Sequence, residues 1–107
     1  MDRTKIKKEI IEIASNYKNV LEKAGIPVVH LLLFGSYAKG NARLDSDIDI
    51  AVISDSFGKD EIEESGKLQF LKWKLDNRIE PHPVSLKDYK SIANPFISEI
   101  YKYGIEV

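Results

Sequence analysis

Two aspartates stand at alternate positions at the start of an otherwise aliphatic stretch, DIDIAVI, which runs from Asp47 to Ile53. Aspartate is unfavourable in β-strands, so a strand that begins with Asp47 and Asp49 calls for a chemical explanation. Residues two apart on a strand project from one face, about 7 Å apart at the backbone, and their carboxylates can converge on a cation. We interpret both as candidate ligands of Mg²⁺, which prefers oxygen donors. The alternative is a solvated strand face that carries acidic residues.

A tight turn lies upstream of this acidic pair. Gly35 and Ser36 follow a nearly unbroken apolar run, VVHLLLF, from Val28 to Phe34. Glycine allows a close approach to the backbone there, and the amides at the start of the next segment attract phosphate oxygens. The Ser36 hydroxyl adds a donor, and Lys39 adds charge that can neutralise a phosphate. A Gly-Ser pair after a strand is also a common helix entry with serine as the N-cap, so the turn is informative mainly together with the acidic pair.

The whole stretch FGSYAKGNARLDSDIDIAV, from Phe34 to Val52, resembles the active-site signature of the DNA polymerase β-like nucleotidyltransferase superfamily. The short chain and the sequence Ala38-Lys39-Gly40 resemble in particular its minimal nucleotidyltransferase branch, the MNT domains often found as antitoxins paired with HEPN toxins. The resemblance implies two Mg²⁺ ions, ATP as the donor of AMP and a tyrosine hydroxyl of a HEPN toxin as acceptor. Lys39 departs from the arginine common in the family, and lysine lacks bidentate phosphate geometry.

Members of this family usually carry a third carboxylate on the next strand, and Glu80 in the segment RIEPHPV is the matching position. Its alternative interpretation is an exposed charge on an edge strand, which discourages aggregation. Asp76 is a poorer candidate, because it falls at the end of a helix. The resemblance therefore implies one catalytic and metal-binding set, which consists of Asp47, Asp49 and Glu80. It implies a nucleotide-binding set that consists of Gly35, Ser36 and Lys39.

Several other residues that could do chemistry receive a structural interpretation. His30 and His82 lack metal-ligand spacing, so we expect His30 to be packed or hydrogen-bonded in the core and His82 to lie at the surface. Aromatic residues near helical spacing belong to a core more often than to a base-stacking or partner surface. The aromatic residues in question are Phe70, Trp73, Tyr101 and Tyr103.

Hydrophobic periodicity predicts the elements that must position these residues. The predicted strands are Val28 to Phe34, Asp47 to Ile53 and Arg78 to Val84. The predicted helices are Thr4 to Ala24, a short helix after Ser36 that Gly40 and Asn41 close, Asp60 to Leu75, and Pro95 to Tyr103. An extended tail follows from Ile105 to Val107. Prolines cannot donate to a ladder, so the strand RIEPHPV belongs at a sheet edge.

Apolar stripes at three- and four-residue steps support the two long helices. The first stripe consists of Ile6, Ile10, Ile13, Tyr17, Val20 and Leu21. The second consists of Ile62, Leu68, Leu71 and Leu75. Gly25 is the expected left-handed cap of the first helix. The order α-β-α-β-α-β-α predicts an α/β (α+β) fold, a small mixed sheet flanked by helices, in one domain over residues 1–107.

Composition bounds the class of protein. A net charge of −1 with both signs mixed along 107 residues disfavours an extended nucleic-acid surface, and no apolar run is long enough for a membrane span. We therefore expect a cytoplasmic protein. The chain has no cysteine, which excludes disulfide scaffolds and thiol nucleophiles. It is short for an enzyme that binds two substrates, so a partner protein or a second copy in a homo-oligomer is expected.

Two competing functions are consistent with the same residues. A nucleotidyltransferase of this family can act on the hydroxyl of a small molecule instead of a protein. Alternatively, the chain is a non-catalytic antitoxin that neutralises its partner by contact, with Trp73 or Tyr101 as an anchor. An intact set of Asp47, Asp49 and Ser36 argues against the non-catalytic interpretation.

Overall fold

The structure is a computed structural model that describes residues 3–43 and 45–107. The side chain of Ile6, part of the first predicted stripe, lies outside the described residues. The helices of the described chain are α1 (Arg3–Lys23), α2 (Gly35–Lys39), α3 (Glu61–Lys72), α4 (Leu86–Ser91) and α5 (Pro95–Tyr103). Its strands are β1 (His30–Phe34), β2 (Ile48–Ser54), β3 (Ile79–Ser85) and β4 (Ile105–Glu106). The predicted mixed sheet flanked by helices is confirmed, with α4 as an additional helix.

The four strands form one sheet in the order β3-β2-β1-β4. Strand β1 is antiparallel to both β2 and β4, whereas β2 and β3 are parallel. Because parallel neighbours need a crossover connection, α3 bridges β2 and β3. The register aligns Phe34 with Asp49 and Asp49 with Glu80, and it aligns Ala51 with His82. One face of the sheet therefore carries a row from β1 through β2 to β3 that contains two of the predicted carboxylates.

Strand β3 lies at the sheet edge, as its prolines predict. The Ile48 amide donates to the Arg78 carbonyl at 2.7 Å, so the backbone groups of Arg78 point toward β2 and those of residues 79, 81 and 83 point to the open side. On that open side the Lys72 Nζ donates to the Ile79 carbonyl at 2.6 Å. The nitrogens of Pro81 and Pro83 therefore face the open edge, where no neighbouring strand requires an amide hydrogen.

Two hydrophobic clusters cover the two faces of the sheet. On one face, α1 and α3 pack against the buried aliphatic residues of the strands. That cluster includes Tyr17, Leu21, Leu31, Leu33, Ile48, Ile50, Val52, Leu68 and Ile79. On the other face α4 and α5 supply the cover. That cluster includes Leu32, Phe34, Ala51, Ile53, Val84, Tyr89, Ile97 and Ile100. Each fully buried Leu or Ile side chain stabilises the fold by roughly 1.5–3 kcal/mol.

The second predicted stripe is confirmed for two of its four residues and wrong for the other two. Leu68 is buried and Leu71 packs against the core, but Ile62 is 87% exposed, and Leu75 is exposed as well. The six residues that separate Ile62 from Leu68 leave their side chains about 120° apart around a helix axis, so one face cannot bury both. Leu75 lies beyond the end of α3 at Lys72, where helical spacing no longer applies.

The aromatic residues predicted for the core are exposed instead. Phe70 is 77% and Trp73 is 70% exposed, on and just after α3. Tyr101 and Tyr103 of α5 are also exposed, although one face of Tyr101 stacks on Tyr89 with ring centroids 4.5 Å apart. The interpretation of these side chains as core residues was therefore wrong. Phe70, Tyr101 and Tyr103 lie on helices whose other side chains fill the clusters, and Trp73 follows the end of α3.

The helix ends largely follow their sequence signals. Gly25 has a left-handed backbone with φ of +87°, as predicted for the end of α1. Helix α5 has the predicted bounds, and the Asn94 side chain accepts a hydrogen bond from the Ile97 amide at 3.0 Å. The predicted extended tail forms β4, which pairs with β1. Within residues 3–43 and 45–107, no helix has the length and apolarity needed to cross a membrane.

Replacing Tyr17 with phenylalanine is expected to destabilise the fold by about 1 kcal/mol, because a buried hydrogen bond between α1 and α3 is lost. The Tyr17 hydroxyl is buried and donates to the Leu68 carbonyl at 2.8 Å, which ties α1 to α3. Burial also raises the pKa of Tyr17, so the hydroxyl keeps its proton at neutral pH. Denaturant unfolding measures the change. The exposed Tyr103→Phe variant is the control, and equal stability of both variants contradicts the assignment.

Candidate active site

The turn at Gly35 places backbone directly against the side chain of Asp49. Gly35 has φ of +72°, a left-handed conformation that L side chains rarely adopt. A Cβ at this position would overlap the Asp49 carboxylate, with Asp49 Cγ only 3.1 Å away. The chain therefore needs glycine here for two reasons, its backbone angle and the space that Asp49 occupies. The close neighbour observed at Gly35 is Asp49, and the predicted role of Gly35 in binding phosphate stays a prediction.

Ser36 does not cap α2 as its position suggested. Helix α2 begins at Gly35, Phe34 is its N-cap, and no side chain accepts a capping hydrogen bond. The left-handed Gly35 turns the chain from β1 straight into the helix, which leaves Ser36 inside the first turn. The predicted end of this helix is confirmed, because Gly40 adopts φ of +79° and its amide reaches the Ser36 and Tyr37 carbonyls.

Three carboxyl groups gather where β2 and β3 begin. Asp47 immediately precedes β2, and Asp49 and Glu80 are partners in the parallel register. The side chains of Glu80 and Asp47 share a hydrogen bond. Glu80 is exposed on the edge strand β3, and its pKa is raised from its ordinary value by desolvation, by this hydrogen bond and by the negative charges of Asp49 and Asp47, whereas His82 lowers it. The structure thus places Glu80 near both aspartates, while the donor atoms that all lie within 4.8 Å of one another belong to Asp49, Glu80 and His82.

His82 lies beside this cluster and not at the open surface. Its side chain is half-buried, and its Nε2 atom is 3.8 Å from Asp49 Oδ1. The ring packs against Phe34 and Phe96 with centroid distances of 5.2 and 5.5 Å. Ligand atoms of Asp49, Glu80 and His82 all lie within 4.8 Å of one another. The expectation of a surface residue without ligand potential was therefore wrong.

A positional signal for His82 was present in the sequence. Glu80 and His82 are two residues apart, the same spacing as Asp47 and Asp49, so each pair projects from one face of its strand. Only the pairing of β2 with β3 shows that the two pairs of side chains project from the same face of the sheet. The sequence alone does not fix that register.

The donor chemistry of the cluster fits a divalent cation. Like charges this close repel each other, and this repulsion adds to desolvation, the larger cause, in raising the pKa of Glu80. A divalent cation between the carboxylates replaces that repulsion with attraction, and oxygen donors are those that Mg²⁺ prefers. Asp49 and Glu80 offer oxygen atoms close enough to share one ion, and the assignment of Asp47 as a further ligand stays a prediction.

Lys39, predicted to bind phosphate, contacts a different partner. Its Nζ is 2.5 Å from Glu99 Oε1 of α5 and 5.0 Å from the centroid of the Tyr103 ring. The hydrogen bond to Glu99 raises the pKa of Lys39. The pair is exposed, and exposed ion pairs contribute little to stability, so Lys39 can leave Glu99 at small cost.

An ion pair that the sequence did not indicate supports the start of β3. The Arg78 guanidinium donates to both carboxylate oxygens of Asp76, at 3.0 and 2.8 Å, and the Arg78 amide donates to Asp76 at 2.9 Å. These bonds lower the pKa of Asp76, with the side-chain hydrogen bond from Arg78 as the main cause. Arg78 also reaches the Tyr37 hydroxyl of α2 at 3.5 Å. Asp76 therefore anchors the strand that carries Glu80.

Known proteins are similar to this chain in sequence and in fold. The family model described as Polymerase beta, Nucleotidyltransferase matches residues 8–107. A protein of Methanocaldococcus jannaschii named "putative protein adenylyltransferase" is 30% identical over 102 residues, which cover 92% of this chain and 99% of the relative.

Two crystal structures are similar as well. One, described as a "putative nucleotidyltransferase" from Sulfolobus solfataricus, has a TM-score of 0.68 at 12% identity, covers 97% of this chain and 84% of its own, and shows a shared fold. The other, a toxin-antitoxin with AMP-PNP, has a TM-score of 0.61 at 27% identity and covers 85% of this chain and 69% of its own.

Replacing Gly35 with alanine is expected to cost more stability than the same change at Gly25. Both residues have positive φ, which costs roughly 1–2 kcal/mol for a non-glycine residue. Only at Gly35 does the new Cβ also meet the Asp49 carboxylate, whereas nothing lies within 4 Å of a Cβ at Gly25. The free energies of unfolding of the two variants measure this difference.

The melting temperature in excess Mg²⁺ tests whether the cation site is disturbed. We expect Gly25→Ala to keep the Mg²⁺-dependent rise in melting temperature and Gly35→Ala to lose it. Retention of that rise in Gly35→Ala contradicts this account.

Glu80→Gln is expected to raise the melting temperature at neutral pH when divalent cations are chelated. The pKa of Glu80 is higher in the folded chain than its ordinary value of 4.5. Its stabilising contribution is therefore complete below the ordinary value and is lost as pH rises through the raised value. The variant and the original chain should melt alike at acidic pH and diverge toward neutral pH. Glu12→Gln, on the exposed side of α1, is the control, and a lower melting temperature of Glu80→Gln at neutral pH disproves the electrostatic interpretation.

Proposed function

This chain belongs to the polymerase beta nucleotidyltransferase family, and from that membership we propose that it transfers AMP from ATP to a hydroxyl group in a Mg²⁺-dependent reaction. The proposed acceptor is a tyrosine hydroxyl on a partner HEPN toxin, which makes the chain the antitoxin of the pair. The proposal places the protein in the cytoplasm, where ATP is available.

The observation that carries this proposal is the gathering of three carboxyl groups beside a glycine turn. Asp49 contacts the Gly35 backbone, pairs in register with Glu80, and lies two residues from Asp47, which is hydrogen-bonded to Glu80. An active site that transfers nucleotides needs negatively charged ligands for a cation next to backbone amides that bind phosphate. Both parts meet here within one short segment of sheet.

The bond changes of the reaction follow from the substrates. The acceptor oxygen attacks the α-phosphorus of ATP, a new oxygen–phosphorus bond forms, the bond to the bridging oxygen of the β-phosphate breaks, and pyrophosphate leaves. The proposed acceptor of the hydroxyl proton is the Glu80 carboxylate, which the proposal places beside the attacking oxygen. Positioning and neutralisation of charge supply most of the rate enhancement in such transfers.

The predicted site residues divide between cation and phosphates. Asp47, Asp49 and Glu80 would hold two Mg²⁺ ions, which, when bound, neutralise the triphosphate and lower the pKa of the attacking hydroxyl. The Ser36 hydroxyl and the amides of Gly35 and Ser36 would hold the β- and γ-phosphates. Lys39 would join them after release from Glu99.

Two relatives support the nucleotide and the class of acceptor. The Methanocaldococcus jannaschii relative carries the name of a protein adenylyltransferase, which transfers AMP to proteins. The similar toxin-antitoxin structure contains AMP-PNP, an analogue of ATP. The exposed Phe70 and Trp73 add an apolar surface suited to contact with a protein. These features favour a protein acceptor over a small molecule.

Asp47→Asn and Asp49→Asn are each expected to reduce transfer by at least about 100-fold, because each removes a charge that the cation site needs. The assay incubates the purified chain with the protein encoded beside it, Mg²⁺ and α-labelled ATP, and follows label on that protein. Asp45→Asn is the matched control, since Asp45 is an exposed residue just before the set. Circular dichroism establishes that the variants remain folded.

The outcomes of this assay separate the proposed functions. Label on the neighbouring protein that disappears in Asp47→Asn and Asp49→Asn supports protein adenylylation. Inhibition of the neighbour at equal stoichiometry without label indicates an antitoxin that acts by contact. Near-full transfer by either variant shows that the carboxylates are not the catalytic set.

A further inference from the structure

A nitrogen donor stands among the oxygen donors of the proposed site. His82 Nε2 is buried and makes no hydrogen bond within the described part of the chain. At 3.8 Å its distance to Asp49 Oδ1 exceeds that of a hydrogen bond. A buried polar atom without a partner is costly, so this nitrogen requires an explanation.

The ring that carries this nitrogen is held in place from two sides. Phe34 from β1 packs edge-on against the imidazole, and Phe96 from α5 packs at 48° to it. Phe34 and Phe96 also contact each other, with centroids 5.2 Å apart. The aromatic contacts leave Nε2 on the side of Asp49, so the donor is oriented in advance.

The spacing of the donor atoms suits one shared ion. Two ligands bound to a single ion at roughly 2.1 Å in tetrahedral geometry lie about 3.4 Å apart. The distance from His82 Nε2 to Asp49 Oδ1 is 3.8 Å, and Glu80 completes a set within 4.8 Å. Small side-chain rotations of Asp49 and Glu80 therefore bring all three donors to one ion. Both carboxylates have freedom to rotate, because neither is fully buried.

Mg²⁺ does not account for the nitrogen, because it is a hard ion that prefers oxygen ligands and water. Imidazole together with carboxylates is a ligand set that suits Zn²⁺ and its first-row neighbours, whose affinities rise from Mn²⁺ to Cu²⁺ and are lower again for Zn²⁺. We propose that Asp49, Glu80 and His82 bind a divalent first-row transition-metal ion, represented by Zn²⁺, more tightly than Mg²⁺. The role of this ion in catalysis rests on the proposed transfer reaction, but its binding does not.

Two consequences follow for the chemistry of the site. Glu80 and Asp49 would serve both the proposed Mg²⁺ site and the transition-metal site, so the two kinds of ion compete. Asp47 contacts Glu80 and would orient its carboxyl in either case. The identity of the bound ion is then determined by His82, a residue outside the predicted catalytic set.

Calorimetric titration of the full chain with Zn²⁺, without ATP or acceptor, tests the proposal directly. We expect His82→Gln to weaken Zn²⁺ binding by at least about 10-fold and to leave Mg²⁺ binding nearly unchanged, since only a borderline ion uses the nitrogen. His30→Gln is the matched control, because His30 is also half-buried but is hydrogen-bonded to Glu106 at 2.8 Å. Equal Zn²⁺ affinity of His82→Gln and the original chain overturns the proposal.

Nuclear magnetic resonance supplies a readout that a merely structural role of His82 does not move. The chain has two histidines, so their ring nitrogens give few signals to assign. We expect Zn²⁺ to shift the Nε2 resonance of His82 and to leave that ring's other nitrogen bonded to its proton. A shift at His30 alone, or at neither ring, refutes direct coordination. A chain that binds Zn²⁺ through His82 but transfers no AMP upholds this inference and refutes the proposed function.

Discussion

The contact between the Gly35 backbone and the Asp49 carboxylate is the constraint on which the site depends. Strand β1 ends opposite Asp49, so the chain must leave the sheet directly above an acidic side chain. Only a residue without a Cβ can make that turn, and its positive φ sends the chain into α2. Burial on both faces of the sheet holds β1 and β2 in this register, because a slip by one residue would turn every side chain to the opposite face. Hydrophobic packing of the two strands thus holds the Asp49 carboxylate in a position that is unfavourable for a charged group.

Local signals were sufficient for much of the fold. Helix α5 has the predicted ends because Asn94, Pro95 and Gly104 each specify a helix boundary through their own backbone chemistry. Helix α4 was missed because six residues are too few for an apolar period. A local signal was nevertheless present, since Ser85 caps the helix by accepting from the Asp88 amide at 3.1 Å. The face that α3 buries could not be predicted, because it depends on which strand the helix crosses.

The residues of the candidate site likewise fall into those that local sequence signals predict and those that depend on tertiary contacts. Asp47 and Asp49 were recognisable from their alternation, because both belong to one segment. Glu80 required the family resemblance, since the sequence does not say which strand neighbours β2. His82 and the pairing of Lys39 with Glu99 arise entirely from tertiary packing, in which β3 and α5 bring residues distant in sequence beside β2 and α2. Contacts between elements were the part that local patterns could not supply.

The prolines of β3 limit how another protein can approach the acidic cluster. An incoming chain that adds a strand to a sheet requires a regular row of donors and acceptors along the exposed edge. Pro81 and Pro83 supply no donors there, and the Ile79 carbonyl is already occupied by Lys72. Another protein therefore cannot bind β3, the strand that carries Glu80 and His82, by adding a regular strand to its edge. A macromolecular substrate must be recognised there through its side chains, so specificity resides in the shape and chemistry of the acceptor residue and its surroundings.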